Sequence, residues 1–91
     1  MARLKVFDIV LATTAEKAFS SRDLGGSWMK LILTNTHATA TVVLRTESGV
    51  AGHEIGPGGE YPIGDGHEVF NQDIFLQPEA AMTVGVVAQL A

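Results

Sequence analysis

From Met82 to Leu90 the chain reads MTVGVVAQL, and apolar side chains return at every second residue. Met82, Val84, Val86, Ala88 and Leu90 share one face of an extended segment; Thr83, Gly85, Val87 and Gln89 take the other. That alternation is the period of a β-strand, whereas a helix repeats its apolar residues every third or fourth position. The same period recurs upstream. Trp28–Thr34 sets Met29, Leu31 and Leu33 inward, with Trp28, Lys30, Ile32 and Thr34 outward. Ala40–Thr46 sets Val42 and Leu44 inward, with Thr41, Val43 and Arg45 outward. Shorter extended runs are Glu16–Ser21, which places Ala18 opposite Phe19, then His53–Ile55, Tyr61–Ile63 and Ile74–Gln77. Gly, Pro, Asn and Asp punctuate them in DLGGSW, NTHATA, ESGVAG, GPGG, GDGHE and PEAA. Only TAEKAF and PEAAM have helix-like composition, and each is too short to stand alone. The expected fold is all-β: a small β-sandwich or jelly-roll-like barrel of seven or eight short strands, forming a single domain over residues 1–91.

The first run, Leu4–Leu11, departs from simple alternation. Phe7, Ile9 and Leu11 lie on one face, and Leu4, Val6 and Val10 on the other. A strand apolar on both faces is either covered on both sides or part of an interface. The second option makes Val6 and Val10, together with Val87 on the last strand, the candidate interface residues.

Composition narrows the function. At 91 residues, with 46% hydrophobic and 18% charged residues, the chain is too apolar and too weakly charged to be disordered. A chain this short has a modest core, so partners are expected to contribute to its stability. There is no cysteine, which excludes disulfides, thiolate metal sites and a cysteine nucleophile. No apolar run reaches the roughly 20 residues that span a bilayer, so no membrane partner is expected. The N-terminal MARLKVFDIVLATTA is interrupted by Lys5 and Asp8 and suits a strand better than an export signal. A net charge of −4 argues against nucleic acid. All six Lys and Arg lie in residues 1–45, which carry +3; residues 46–91 carry seven carboxylates and no cation, −7. That asymmetry allows a molecule with oppositely charged faces, unless the fold interleaves the two halves.

The segment GPGGEYPIGDGHEVFN, residues 56–71, invites a chemical reading. Pro57 and Gly58 suit the two central positions of a type II turn, Gly58 supplying the positive φ. The spacing of Gly56, Pro62, Gly64, His67 and Asn71 resembles the second sequence motif of the cupin family. That resemblance implies a metal site with His67 as a ligand. The family's first motif is absent: upstream stand only His37 and His53, with no H-x-H pair, and Glu47 is too far from His37 to fit. His67 is therefore a metal candidate without the rest of its ligand set, and no metal or other cofactor is expected. Asp65, Glu68 and Asp73 lack the regular oxygen spacing of a calcium loop. Ser20, Ser21, Ser27 and Ser48 sit in no nucleophile motif, and no glycine-rich loop precedes a helix, so no catalytic residue is assigned. Trp28 and Tyr61 are the aromatics available to a sugar or a partner, the basis of a carbohydrate-binding alternative.

A broader likeness runs from Trp28 to Leu90. KLILTN, a small-residue loop, TVVLRT, the element GPGGEYPI, then DIFLQ and AMTVGVVAQL follow the layout of small β-sandwich proteins in the virions of tailed bacteriophages. The resemblance implies a capsid decoration, or cement, protein. Such a protein is not an enzyme. It would be made in the host cytoplasm, not secreted, and located in the virion. The implied partners are itself, as a homo-oligomer with a trimer among the candidate states, and the major capsid protein or another virion protein. The alternatives are a small cupin-like protein using His67, and a carbohydrate-binding module.

Overall fold

The structure, a computed structural model, describes residues 3–47 and 51–91. Ser48, Gly49 and Val50 of the expected ESGVAG loop lie outside the described residues. Eight strands follow in order: β1 (Arg3–Leu11), β2 (Lys17–Phe19), β3 (Trp28–Asn35), β4 (Val42–Arg45), β5 (His53–Ile55), β6 (Glu60–Ile63), β7 (Ile74–Pro78) and β8 (Met82–Leu90). They form two four-stranded sheets, β1-β8-β3-β6 (sheet A) and β2-β7-β4-β5 (sheet B), with all named pairs antiparallel.

This strand order has a simple origin. First pairs with last, second with seventh, third with sixth and fourth with fifth. That is one long hairpin with its tip between β4 and β5. Rolling it up brings β8 against β3 and β7 against β4, which closes the two sheets. The result is jelly-roll connectivity, as expected from the sequence. The rolling also disposes of the charge asymmetry. In both sheets every neighbouring pair joins a strand from the first half of the chain to one from the second. The cationic and anionic halves are interleaved strand by strand, so they do not form two opposed faces.

The facing sides of the sheets supply one core. Val84, Val86, Ala88 and Leu90 of β8 meet Val42 and Leu44 of β4 and Ile74 and Leu76 of β7, all buried. Burial of such apolar area is the main favourable term in a fold with so few charges. β3 departs from the expected alternation. Trp28 is fully buried with Leu31 and Leu33, while Met29 is only half-buried. The cause is a bulge between Trp28 and Lys30, where the register against β8 shifts. A bulge inserts one residue and turns the preceding side chains to the opposite face. Leu24, in the turn before β3, is also fully buried, although DLGGSW reads as a surface turn.

One buried polar residue ties the end of the barrel together. Asn35 closes β3 and is fully buried. Its Nδ2 donates to the carbonyls of Ala40 (2.8 Å) and Ile55 (2.9 Å), and its Oδ1 accepts from the N–H of His37 (2.9 Å). Its backbone N–H donates to Gly59 O and its carbonyl accepts from Gly58 N–H, both at 2.9 Å. Asn35 thus joins sheet A to the approach to β4, the end of β5 and the turn before β6. That turn is the expected type II: Gly59 N–H donates to Gly56 O (2.9 Å), and Gly58 has φ 73°. A second link crosses sheet B, where Arg45 Nη1 lies 3.0 Å from Glu16 Oε2 and 3.0 Å from Gln77 Oε1.

Replacing Asn35 by Ala strands two carbonyls and an N–H in the interior. The expected cost is about 3 kcal/mol of unfolding free energy. Chemical denaturation of N35A beside the parent protein measures it; a loss below the error of the transition would show that the node is dispensable.

Candidate functional site

The core-facing half of sheet A is covered by sheet B. Its other half faces outward, and there the register builds an apolar row. Val6 stands opposite Val87, Val87 opposite Ile32, and Ile32 opposite Pro62. Directly opposed residues in antiparallel strands share a face, so these four side chains cross sheet A from edge to edge. On the same face of β1, Leu4 adjoins the row and Val10 lies beyond Asp8. Exposure is 76% at Leu4, 75% at Val6, 65% at Val10 and 37% at Val87; Ile32 is half-buried and Pro62 exposed. Val6, Val10 and Val87, the candidate interface residues, do face outward. Scattered exposed aliphatics are ordinary on a protein surface, but a contiguous row is not.

Polar residues flank the row on both sides. Asp8, Gly85, Thr34 and Glu60 form the neighbouring rank toward one end of the strands. Gln89 and Lys30 form the rank toward the other, which ends at Leu4 on β1. An apolar centre with a polar margin is the usual anatomy of a protein contact surface. Leu4, Ile32 and Pro62 were missed as members of this surface. Alternation alone puts Leu4 and Ile32 on outward faces, but only the pairing register shows that Ile32 and Pro62 continue the line from Val6.

The segment 56–71 takes a different part. Its first portion is the turn and edge strand already described. Its second portion straps the bulged start of β3. Phe70 N–H donates to Trp28 O (2.7 Å), Trp28 N–H donates to Phe70 O (2.9 Å), and Gly66 N–H donates to Met29 O (3.2 Å). The Phe70 ring stacks on Trp28 with centroids 4.9 Å apart. Gly64 has φ 84°, and a Cβ there would strike the Met29 carbonyl, so only glycine fits this close approach. Asp65 Oδ1 accepts from the N–H of His67 (2.8 Å) and of Glu68 (3.3 Å), a turn that leaves His67 exposed. Those two donors hold the Asp65 carboxyl below its usual value.

The three histidines stand apart in the fold. His37, between β3 and β4, accepts from the N–H groups of Thr39 (3.0 Å) and Ala40 (2.9 Å) at Nδ1. His53, on β5, stacks on Tyr61 at 3.9 Å between centroids. Among the described residues no three His, Asp or Glu side chains gather as metal ligands, so nothing here completes a set around His67. Trp28 is fully buried and its ring is closed to a sugar; its Nε1 has no hydrogen-bond partner among the described residues. Tyr61 borders a cleft of about 260 Å³ with Leu44, Arg45, Gly52, His53 and Ile63. The Arg45 guanidinium on this cleft lies 3.0 Å from Glu16 and 3.0 Å from Gln77.

The chain matches no protein-family profile, no curated protein and no solved structure. The geometry of the outer face therefore carries the functional argument.

Two measurements check this division of labour. Leu4→Thr and Val10→Thr, on the outer face, should each leave stability within about 0.5 kcal/mol of the parent. Leu31→Ala, in the core, should cost about 3 kcal/mol. Equal losses at both kinds of site would mean that the outer face is structural. Asp65 should titrate, by NMR, below the usual carboxylate value of 3.8. Because the folded form holds the lower value, the stability Asp65 contributes is complete above its unfolded value and fades as the pH falls through the folded one.

Proposed function

We propose that this chain is a non-enzymatic structural protein of a virus particle, a capsid decoration protein that self-associates and binds the capsid surface. The observation that carries this reading is the apolar row Val6–Val87–Ile32–Pro62, open to solvent across the outer face of sheet A. A small jelly roll whose core already occupies its inner faces has no folding use for that row. Leaving it in water is unfavourable by roughly 25 cal/mol for each Å² that a partner would cover. Its use is association.

The fold alone does not decide the matter, since jelly rolls also serve lectins and cupins. The likeness of Trp28–Leu90 to phage virion β-sandwiches gives the setting. In that setting the outer row of sheet A is the contact surface, and the polar ranks through Asp8, Glu60, Lys30 and Gln89 set orientation on the capsid lattice.

The test is made on particles of the virus that carries this coding sequence, purified by density gradient. Quantitative mass spectrometry should find the protein at copy numbers comparable with the major capsid protein. Val87→Asp should deplete it from particles while leaving it folded in the lysate. A protein abundant in the infected lysate and absent from purified particles would overturn the reading.

A further inference from the structure

Four strands are sheet edges: β1 and β6 in sheet A, β2 and β5 in sheet B. An exposed edge is a template for another chain, and proteins blunt it with shortness, proline, bulges or charge. Three of these edges are blunted in just that way. β2 and β5 have three residues each, and β5 carries Glu54. β6 has four residues and contains Pro62, which lacks a backbone donor.

β1 is different. It runs nine residues without proline and pairs with β8 in unbroken register from Arg3 to Leu11. No described strand pairs with its other side. Of the two cations on its inward parity, Arg3 stands at the very end of the strand, and Lys5 is folded back on its own subunit: Nζ lies 5.2 Å from the Phe7 ring centroid, and the stem lies against Gly25. The backbone groups along the open side of β1 are therefore available to a partner strand.

We propose that two copies of this chain join edge to edge through β1, extending sheet A into one sheet of eight strands across a two-fold axis, resting on the reading of the chain as a self-associating structural protein. In one register β1 pairs with itself over its whole length and opposes no like charges. Centred on Phe7, antiparallel pairing uses all nine residues of both copies. Phe7 then meets Phe7, Leu4 meets Val10, Val6 meets Asp8, Lys5 meets Ile9 and Arg3 meets Leu11. No like charges stand directly opposite, and the exposed Leu4 and Val10 cover each other on both sides of the axis. Recentring on Lys5 or Asp8 opposes two like charges and shortens the overlap. A ring of three copies would need a second, different edge to receive β1, and the other edges are blunted. The axis is perpendicular to the sheet, so the two apolar rows come to lie on one face. The pair presents a single, larger surface to the capsid.

Sedimentation equilibrium of the untagged full chain, over a wide dilution series, tests the pairing. The expected mass at the concentrated end is twice the 9.6 kDa of the chain. Leu4→Glu with Val10→Glu opposes carboxylates at both contacts and should weaken the dimer by roughly tenfold or more. Leu4→Glu with Val10→Lys opposes opposite charges in the same register and should restore it. A monomer or trimer at all concentrations overturns the proposal, as does equal weakening of both variants. Should the double-Glu variant fail to fold, hydrogen exchange of the parent decides. β1 amides whose protection rises with concentration support the pairing; protection independent of concentration overturns it. A monomer that is nonetheless found in particles removes only the edge pairing. A dimer absent from particles removes only the virion role.

Discussion

Asn35 sits where four segments of the chain must be held at once, and it holds all of them with hydrogen bonds inside the core. Its amide reaches the carbonyls of Ala40 and Ile55 in the layer of sheet B, while its own backbone belongs to sheet A and pairs with the turn at Gly58 and Gly59. A buried amide is tolerated only when its donors and acceptors are used, and here they are. The consequence is geometric. The end of β3, the entry to β4, the end of β5 and the approach to β6 are fixed relative to one another, at the end of the sandwich where the rolled hairpin doubles back. Apolar burial drives the two sheets together without direction; this node tells them where to stop.

The rolled-hairpin topology has two effects that reach the surface. It interleaves the halves of the chain, so cations from the first half and carboxylates from the second are spread over both sheets. It also places the first and last strands side by side as long partners, with β1 left at the margin. The other margins are short or carry proline. The same connectivity that closes the core thus leaves one long regular edge and, beside it, an outward face crossed by apolar side chains. Edge and face are contiguous through Val6. A contact made at one of them extends naturally to the other.

The segment 56–71 illustrates how a sequence resembling a metal motif can serve the backbone. Its glycines and Pro57 form a turn against Asn35 and a second loop against Met29, and Phe70 covers the buried Trp28. The bulge at Trp28–Lys30 and this strap belong together. The bulge turns the large ring inward, and the strap continues the β6 side of β3 by pairing with the backbone of Trp28 and Met29. His67 stands at the surface of that arrangement, positioned by the Asp65 turn.

The sequence by itself determined the class and the strands. Period-two alternation marks β8 to the residue and sorts the side chains of β1 onto two faces, because in a strand the facing of each side chain depends only on its own parity. It leaves open which face of β1 is outward, since both are apolar. The sequence also gives the type II turn at Pro57–Gly58, since local φ preferences decide such turns. The tertiary structure alone decided the rest, because the rest depends on which strands are neighbours. The bulge that buries Trp28 in place of Met29 exists only against β8. The worth of Asn35 depends on Ala40, Ile55 and Gly59 converging on it, and NTHATA read alone is a polar loop. The charge asymmetry of the halves dissolves once strands from each half alternate. Val6, Val87, Ile32 and Pro62 are separated by up to 81 residues of chain, and only pairing register sets them in one row.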